Sequence, residues 1–328
     1  MTLKQPLGQL YAGLGIAVAV LFVASLFAGK VWVPWSAFTD RADPRWPIIF
    51  DLRLPRAILG VAVGAALGAS GAAMQGYTRN PLASPDVLGV SSMASLFAVL
   101  TLYFNLAEAS AWVLPTAAML GAMTGVVLLL VLAGATSSIV TFILAGAILQ
   151  IITAAGVSLA LSLAPNPWAV QEIVSWIHGA LADRSIDEVR FALPFILTGL
   201  VLLMTQTRTF DALTLGDIGA RSLGIDVNRS RLFLVVGVGL AVGASTAVTG
   251  MIGFVGLVTP HLLRPFVASR PGALILPSAI GGAAIVLAAD ILVRVIPTAT
   301  EVKLNVAMAA IGGPFFLALL IRLRRRIA

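Results

Sequence analysis

The sequence predicts an all-α integral membrane protein with about ten transmembrane helices, on three observations. Of its 328 residues, 59% are hydrophobic and 11% are charged. The charged share is low, since about a quarter is usual in soluble domains. The mean hydropathy is +1.02. Apolar stretches long enough to cross a bilayer recur along the whole chain. The lipid bilayer is therefore the environment that suits the large apolar surface of this chain.

Each predicted span is an apolar run bounded by polar, glycine- or proline-containing residues. The first run is longer than the apolar core of a signal peptide, and nine more follow it. We therefore interpret it as a membrane helix rather than a cleaved signal. The predicted spans are 10–29, 55–76, 87–106, 111–134, 138–164, 190–207, 231–250, 252–270, 273–294 and 303–322.

Charge sets the expected orientation. An even number of spans places both termini on one side, and the chain ends in RLRRRIA. Because cytoplasmic segments are rich in Lys and Arg, both termini are expected in the cytoplasm. Topology also explains the net charge of +7, so no nucleic-acid partner is expected. The arginines behind this orientation are Arg221, Arg229, Arg231, Arg322, Arg324, Arg325 and Arg326.

Three connecting segments are too long or too polar to be simple turns. Residues 30–54 lie outside and carry tryptophans suited to the lipid headgroup level. Residues 165–189 also lie outside, and a short surface helix is expected at about 170–182. Residues 208–230 lie inside. Their polar residues and repeated glycines predict a short helix between tight turns, or else an ordinary solvated loop.

The second span and the segment after it are unusual. Gly60, Gly64 and Gly68 recur every four residues, which lets helix backbones approach closely, or leaves room for a wide passage. Residues 76–89, GYTRNPLASPDVLG, then place polar residues and two prolines between apolar runs. Pro81 and Pro85 break the helix there.

The residues exclude several kinds of chemistry. With no cysteine, the chain forms no disulfide, zinc–thiolate site or iron–sulfur cluster of its own. The Gly29–Lys30 pair is followed by Val31, so a phosphate-binding loop is missing. His178 and His261 lie far apart in sequence, and no catalytic constellation stands out. We expect no catalytic residue, metal site or cofactor in this chain.

Intramembrane charge is equally sparse. Asp290 and Arg294 are four residues apart, so they could pair along one helix face. No carboxylate occupies a midplane position, which argues against an ion-coupled secondary transporter. A transporter of this composition needs its energy from another chain, and residues 208–230 are the candidate contact. A non-transporting membrane module remains a second alternative.

Six blocks in order carry a resemblance that covers nearly the whole chain. The chain resembles the permease subunit of bacterial ABC importers for iron siderophores, haem and cobalamin. The blocks are LRLPR at 52–56, GAALGASGAAMQGYTRNPLASPDVLG at 64–89, GDIGARSLGI at 216–225, GFVGLVTPHLLR at 253–264, AADILVR at 288–294 and IGGPFF at 311–316.

The resemblance implies the type II ABC importer permease fold, with residues 1–328 as a single transmembrane domain. It implies a homodimer in the bacterial inner membrane, with the passage between the two copies. Two ATPase subunits, which hold ATP and Mg, bind below, and a periplasmic substrate-binding protein docks above. The implied cargo is a metal chelate: a ferric siderophore or haem, with cobalamin also open.

The resemblance also assigns roles to particular residues. Arg53, Arg56 and Arg294 match arginines that receive carboxylates of the binding protein; the alternative is anchoring at lipid headgroups. Asn80 and Leu82 match an inner gate, against the alternative of a structural hairpin in which Asn80 caps a helix. The residues implied to contact the ATPase are Asp217, Gly219, Ala220, Arg221, Leu223 and Gly224.

Three further positions are left open. Trp176 matches a short helix that narrows the outer passage. His178, nearby, is either a hydrogen-bonding group or a cargo ligand. Where the family usually has Pro-x-Gly before the last helix, this chain has Lys303 and Asn305. That departure leaves the start of the helix unsettled and fits either a changed docking surface or an anionic cargo.

Overall fold

A computed structural model of the chain describes residues 7–134, 138–268, 270–298 and 300–327. Within these ranges the secondary structure is helical throughout, with 3₁₀ and π turns between α-helices. The α-helices are α1 Leu7–Phe27, α2 Leu54–Thr78, α3 Val90–Tyr103, α4 Val113–Ala133, α5 Ile139–Ser162, α6 Pro167–Ile177, α7 Ile186–Thr205, α8 Thr207–Leu213, α9 Gly216–Ser222, α10 Val227–Thr249, α11 Val255–Leu263, α12 Ile275–Val295 and α13 Leu304–Ile327.

The predicted all-α membrane fold is confirmed. Among the described residues, seven helical segments are long and apolar enough to cross a membrane. The other three predicted spans fall on α3, α11 and α13, and two of these helices are short. In place of the predicted span 252–270, α11 has only nine residues, followed by a 3₁₀ turn at Arg264–Val267. Pro260 within α11 and Pro265 within the turn limit regular α-helical hydrogen bonding there.

Helix α2 lies at the centre of the fold. It is helical earlier than predicted, because a π turn at Ile48–Arg53 runs directly into it. Its glycines pack against α12 at backbone distance. A Cβ on Gly64 would overlap the backbone of Gly282, and one on Gly68 would overlap the carbonyl of Ser278. The predicted close packing through small residues is therefore present, and it makes α2 and α12 a tightly joined pair.

Burial separates inner helices from outer ones. The most apolar windows of α2 and α10 are 83% and 78% buried, whereas those of α1 and α5 are 6% and 28% buried. Helices α1 and α5 therefore present most of their apolar side chains outward, to lipid or to another copy of the chain.

The connecting segments contain short helices of their own. Helix α6 lies in the predicted outer segment 165–189. Two helices, α8 and α9, lie in the predicted inner segment 208–230, where one was expected. The side chains of the C-terminal arginines Arg322, Arg324, Arg325 and Arg326 lie outside the residues whose side chains are described.

Candidate functional site

A buried carboxylate at one end of α12 holds two arginines together. Asp290 is fully buried, and the guanidinium of Arg56 on α2 donates to it at 2.8 and 3.0 Å. Arg294, one turn further along α12, lies 2.9 Å from the other carboxylate oxygen. Glu301 adds a second ion pair with Arg56. The predicted pairing of Asp290 with Arg294 is confirmed.

Arginines also close the end of α1. The last carbonyls of a helix lack partners within it and attract positive charge. Arg53 donates to the carbonyl oxygens of Leu26 and Phe27 at 2.9 and 3.0 Å. Arg294 donates to the carbonyl of Ser25 at 3.0 Å and to its hydroxyl at 2.5 Å. Helices α1, α2 and α12 are therefore joined at this end through guanidinium groups.

The three predicted docking arginines are buried as a consequence. Arg53, Arg56 and Arg294 are only 6%, 9% and 6% exposed. The structure brings them together but gives each an internal partner. Docking stays a prediction for these residues. Direct contact with a partner's carboxylates requires them to give up bonds that they now make within the chain.

The segment between α1 and α2 exposes aromatic rings. Trp32 and Trp35 are both about three-quarters exposed, as suits the predicted headgroup level. In the same segment Arg45 donates to both carboxylate oxygens of Asp43, at 2.9 and 2.8 Å. These bonds lower the pKa of the Asp43 carboxyl. The positive charge of Arg45 and the negative charge of Asp43 thus compensate each other on this surface.

The predicted gate lies directly after α2. Helix α2 ends at Thr78, and the φ of 54° at the next residue, Arg79, turns the chain out of the helix. The side-chain oxygen of Asn80 then accepts the N–H of Leu82 at 2.9 Å, which makes a tight turn. Asn80 thus supports a turn and is not the capping residue of α2 or of the next 3₁₀ helix, so the structural alternative stays open without the helix cap. Asn80 and Leu82 are both exposed, as a gate position requires, and the gate role stays a prediction.

The six predicted ATPase contacts lie together on α9 and the turn after it. Gly216, the first residue of α9, and Gly224, two residues after its end, have φ of 83° and 80°. Ala220 is fully buried against the protein, whereas Leu223 is exposed. Ile218, which the sequence analysis did not single out, is 84% exposed. Apolar side chains on α9 and directly after it therefore point away from the protein, and ATPase contact stays a prediction for this segment.

An ion pair joins α9 to the gate. A guanidinium nitrogen of Arg79 lies 2.8 Å from a carboxylate oxygen of Asp217, in the first turn of α9. Arg79 immediately precedes Asn80. The predicted ATPase contact and the predicted gate are thus connected by one side-chain bond, which sequence reasoning did not anticipate.

Helix α8 ties the same segment to α12. Asp211 lies 2.6 Å from Arg270 and accepts the N–H of Gly272 at 2.9 Å, just before α12 begins. Phe210 is fully buried against Gly76 of α2. The two short helices are thus held to both members of the α2–α12 pair. Asp211 was missed because nothing near it in sequence reveals a partner 59 residues away.

Helix α6 forms the region predicted to narrow the passage. Asn166 accepts the N–H of Ala169 at 2.9 Å and caps its first turn. Trp176 is buried near the other end, and its carbonyl oxygen packs against Gly250 so closely that a Cβ there would overlap it. A ring nitrogen of His178 lies 2.7 Å from the carbonyl oxygen of Val174, which supports the hydrogen-bonding interpretation of this histidine.

The departure before the last helix has a structural account. Helix α13 begins at Leu304, and the carbonyl of Lys303 accepts the N–H groups of Val306 and Ala307 at 3.0 and 3.2 Å. The side-chain oxygen of Asn305 accepts the N–H of Gly253 at 2.9 Å. Asn305 therefore ties the start of α13 to the turn before α11, a bond that glycine could not make.

Metal binding finds no support in the arrangement of side chains. In the described part of the chain, no three His, Asp or Glu side chains group closely enough to hold a metal ion. The charged side chains described above instead form ion pairs, some within one helix or loop and some between helices.

Comparisons with known proteins agree across nearly the whole chain. A family model described as the FecCD transport family matches residues 17–322. The chain is 35% identical over 320 residues to the Fe(3+) dicitrate transport system permease protein FecD of Escherichia coli, covering 94% of this chain and 97% of FecD. It is 34% identical over 327 residues to the vitamin B12 import system permease protein BtuC of Vibrio cholerae, covering 95% and 93%.

A solved structure shares the fold. It is described as an inward-facing conformation of a metal-chelate type ABC transporter. The TM-score is 0.85 at 28% identity, covering 96% of this chain and 99% of the solved one.

Proposed function

The chain belongs to the FecCD transport family, and on that premise we propose that it is the membrane subunit of an ATP-driven importer for a metal chelate. Two copies form the passage, and two ATPase subunits bind at the cytoplasmic face. A periplasmic binding protein delivers the cargo, and both termini of the permease lie in the cytoplasm. This chain forms and breaks no covalent bond; ATP and Mg belong to the partner.

The observation that carries this proposal is the apolar face of α9. Ile218 on α9, with Leu215 just before the helix and Leu223 just after it, is more than half exposed, as are both leucines. Buried Ala220 and Phe210 hold the segment to the rest of the chain. A rigidly held apolar projection fits a groove on another protein better than it fits water. We assign that groove to the ATPase.

Side-chain bonds connect α8 and α9 to the helices next to the predicted gate, so movement of α9 can displace the gate. The pair Arg79–Asp217 joins α9 to the end of α2, and Asp211 joins α8 to the start of α12. Because α2 and α12 pack backbone to backbone, a shift of the coupling helices displaces both together. Asn80 and Leu82 follow the end of α2 and move with it.

The same helix pair carries the outer arginines. Arg56 and Arg294 sit on α2 and α12, and both bind Asp290. We propose that the binding protein docks over this end of the pair. Its acidic groups compete with Glu301 for Arg56, since Glu301 is the more exposed of that arginine's two partners. The binding protein and the ATPase then act on opposite ends of the closely packed α2–α12 pair.

Reconstitution tests the proposal. The permease, its ATPase and its binding protein are placed in liposomes, and uptake of ferric dicitrate, hemin and cobalamin is measured. We expect ATP-dependent uptake of at least one chelate. Replacing Ile218 by Asp should remove ATPase binding and uptake together. Replacing Ile218 by Leu, which keeps an apolar side chain at the same exposed position, is the control and should leave both unchanged. Uptake that needs a proton gradient and no ATP would contradict the proposal.

A further inference from the structure

A pocket of about 450 Å³ lies between the end of α1 and the end of α12. Gly29 and Lys30, which follow α1 directly, form one side of it. No carboxylate is among the residues that line it. The other side is formed by the end of α12 and the residues after it, which are Arg294, Val295, Ile296, Pro297 and Thr298.

Lys30 supplies free hydrogen-bond donors to this pocket. Its side chain is exposed, and its ammonium donates to the carbonyl oxygen of Thr298 at 2.7 Å. An ammonium carries three N–H donors, so two stay available to another acceptor. In the part of the chain that the structure describes, the backbone N–H groups of Gly29 and Lys30 also donate to no backbone carbonyl. An acceptor with several oxygens therefore suits this side of the pocket.

Positive charge at this end of the helices exceeds the negative charge that it contacts. The ion-pair cluster is balanced, since its two arginines, Arg56 and Arg294, face two carboxylates. Lys30 and Arg53 lie beside this cluster, and their side chains donate only to backbone carbonyls. Arg53 is also 94% buried, where a charge without a counter-ion is costly. Two positive charges thus favour an anion next to them.

The surroundings of the pocket are apolar and face outward. The most apolar window of α1 is only 6% buried, so this helix lies at the edge of the fold. Leu292 and Val295 are three residues apart on α12, and both are about half exposed or more. Trp32, two residues after Lys30, is exposed at the predicted headgroup level. A molecule in the pocket therefore meets cations and free donors beside an apolar surface that suits lipid chains.

This order of groups matches a phospholipid, in which an anionic phosphate lies at the membrane surface and acyl chains lie below it. The volume of the pocket also suits a headgroup, since sites that enclose a small organic ligand measure about 300–1,000 Å³. A single carboxylate of a docked protein would fill only a small part of it. Arg294 lines the wall but already bonds to Ser25, Ala28 and Asp290, so it contributes charge rather than a free donor.

We propose that this pocket binds the headgroup of an anionic phospholipid. Lys30 contacts the phosphate, and an acyl chain lies along Leu292 and Val295. The bound lipid joins α1 to α12, and because it binds the folded chain it stabilises the permease. This inference does not depend on the importer function, since it concerns the lipid-facing side of the fold.

Thermal unfolding of the full-length, delipidated permease in detergent tests the proposal. Dioleoylphosphatidylglycerol is titrated into the wild type, Lys30→Glu, Lys30→Gln and Lys30→Arg, with dioleoylphosphatidylcholine as the zwitterionic comparison. Arg190→Glu is the matched control, because it makes the same change of net charge at an exposed position of α7. Native mass spectrometry counts the lipids that each variant retains. Because Lys30 is exposed, these variants should fold.

We expect phosphatidylglycerol to raise the unfolding midpoint of the wild type, and phosphatidylcholine to do so only at concentrations at least fivefold higher. The half-saturating concentration of phosphatidylglycerol should rise at least fivefold in Lys30→Glu and Lys30→Gln. It should stay within twofold in Lys30→Arg and Arg190→Glu. The wild type should retain one more phosphatidylglycerol for each chain than Lys30→Glu does.

Three results would overturn the lipid site. Equal responses of Lys30→Glu and Arg190→Glu would show general attraction between an anionic lipid and a basic protein. The same midpoint shift with millimolar inorganic phosphate, with no lipid retained, would show a site for a free anion. An unchanged lipid response in Lys30→Glu, together with weaker affinity for the binding protein, would assign Lys30 to an acidic protein partner instead.

Discussion

The guanidinium of Arg79 lies 2.8 Å from the carboxylate of Asp217, although 138 residues separate them. Arg79 directly follows α2 and precedes the predicted gate, and Asp217 lies in the first turn of α9, which bears the predicted ATPase contacts. Both side chains are partly exposed. Exposed ion pairs contribute only about 0–1 kcal/mol to stability. We therefore propose that this pair transmits movement between α9 and the end of α2 rather than stabilising the fold.

Reversing one charge of this pair should uncouple transport. We expect Asp217→Arg to lower the number of chelates imported per ATP several-fold, because like charges push α9 away from the end of α2. Combining Asp217→Arg with Arg79→Asp should restore most of the number of chelates imported per ATP. The measurement is uptake and ATP hydrolysis in the same proteoliposomes, with Asp187→Arg as control, since Asp187 pairs with Arg190 at an exposed position elsewhere. Equal loss in the single and double variants would exclude this role.

Removing the buried carboxylate should destabilise the whole permease. Asp290→Asn leaves Arg56 and Arg294 without their shared counter-ion, and breaking a buried ion pair in this way costs about 3–5 kcal/mol. Thermal unfolding in detergent measures the loss. Asp187→Asn, which breaks an exposed pair, should change stability by less than about 1 kcal/mol. Equal thermal unfolding midpoints for Asp290→Asn and Asp187→Asn would show that the ion pairs of Asp290 do not stabilise the fold.

Because α2 and α12 pack closely, the effect of a Gly→Ala substitution on thermal stability should depend on its position. Gly68→Ala places a Cβ against the carbonyl of Ser278, and overpacking of this kind costs about 1–3 kcal/mol. Gly13→Ala meets nothing within 4 Å on α1, and alanine favours helix there by up to about 1 kcal/mol. Thermal midpoints in detergent should therefore shift in opposite directions. Tolerance of alanine at Gly68 would mean that the two helices are further apart.

Docking can be separated from stability at Arg53. Its guanidinium bonds to backbone carbonyls at the end of α1, and loss of charge-assisted bonds costs about 1.5–3 kcal/mol. We expect Arg53→Gln with Arg56→Gln to weaken binding-protein affinity at least tenfold in complexes that remain folded. Biolayer interferometry on nanodisc-embedded complexes measures this affinity. Unchanged affinity in the folded fraction would assign these arginines to structure alone.

The long membrane helices were predictable because each one that crosses lipid needs an apolar run of about 20 residues. The short helix α11 was overestimated, since the apolar run 252–270 continues past the prolines that end regular helix. Residues 48–53 were assigned to a loop because their charges, Asp51 and Arg53, mask an apolar pattern that continues into α2.

Partners across helices were not predictable from one sequence. The position of Arg53, Arg56 and Arg294 at span ends is visible in the sequence, but Asp290 and the carbonyls of α1 become their partners only through packing. Asn305 stood out as a departure, yet its bond to Gly253 depends on the turn before α11. The pair Asp290–Arg294 was predictable because four residues fix a helix face.

Affinity purification of the tagged chain from its native membrane in mild detergent, followed by mass spectrometry, tests the central claim most directly. The account predicts one ATPase subunit for each copy of the permease in the purified complex. Recovery of the chain without any ATPase, across gentle detergents and salt concentrations, would contradict an ATP-driven importer and favour an ion-coupled carrier.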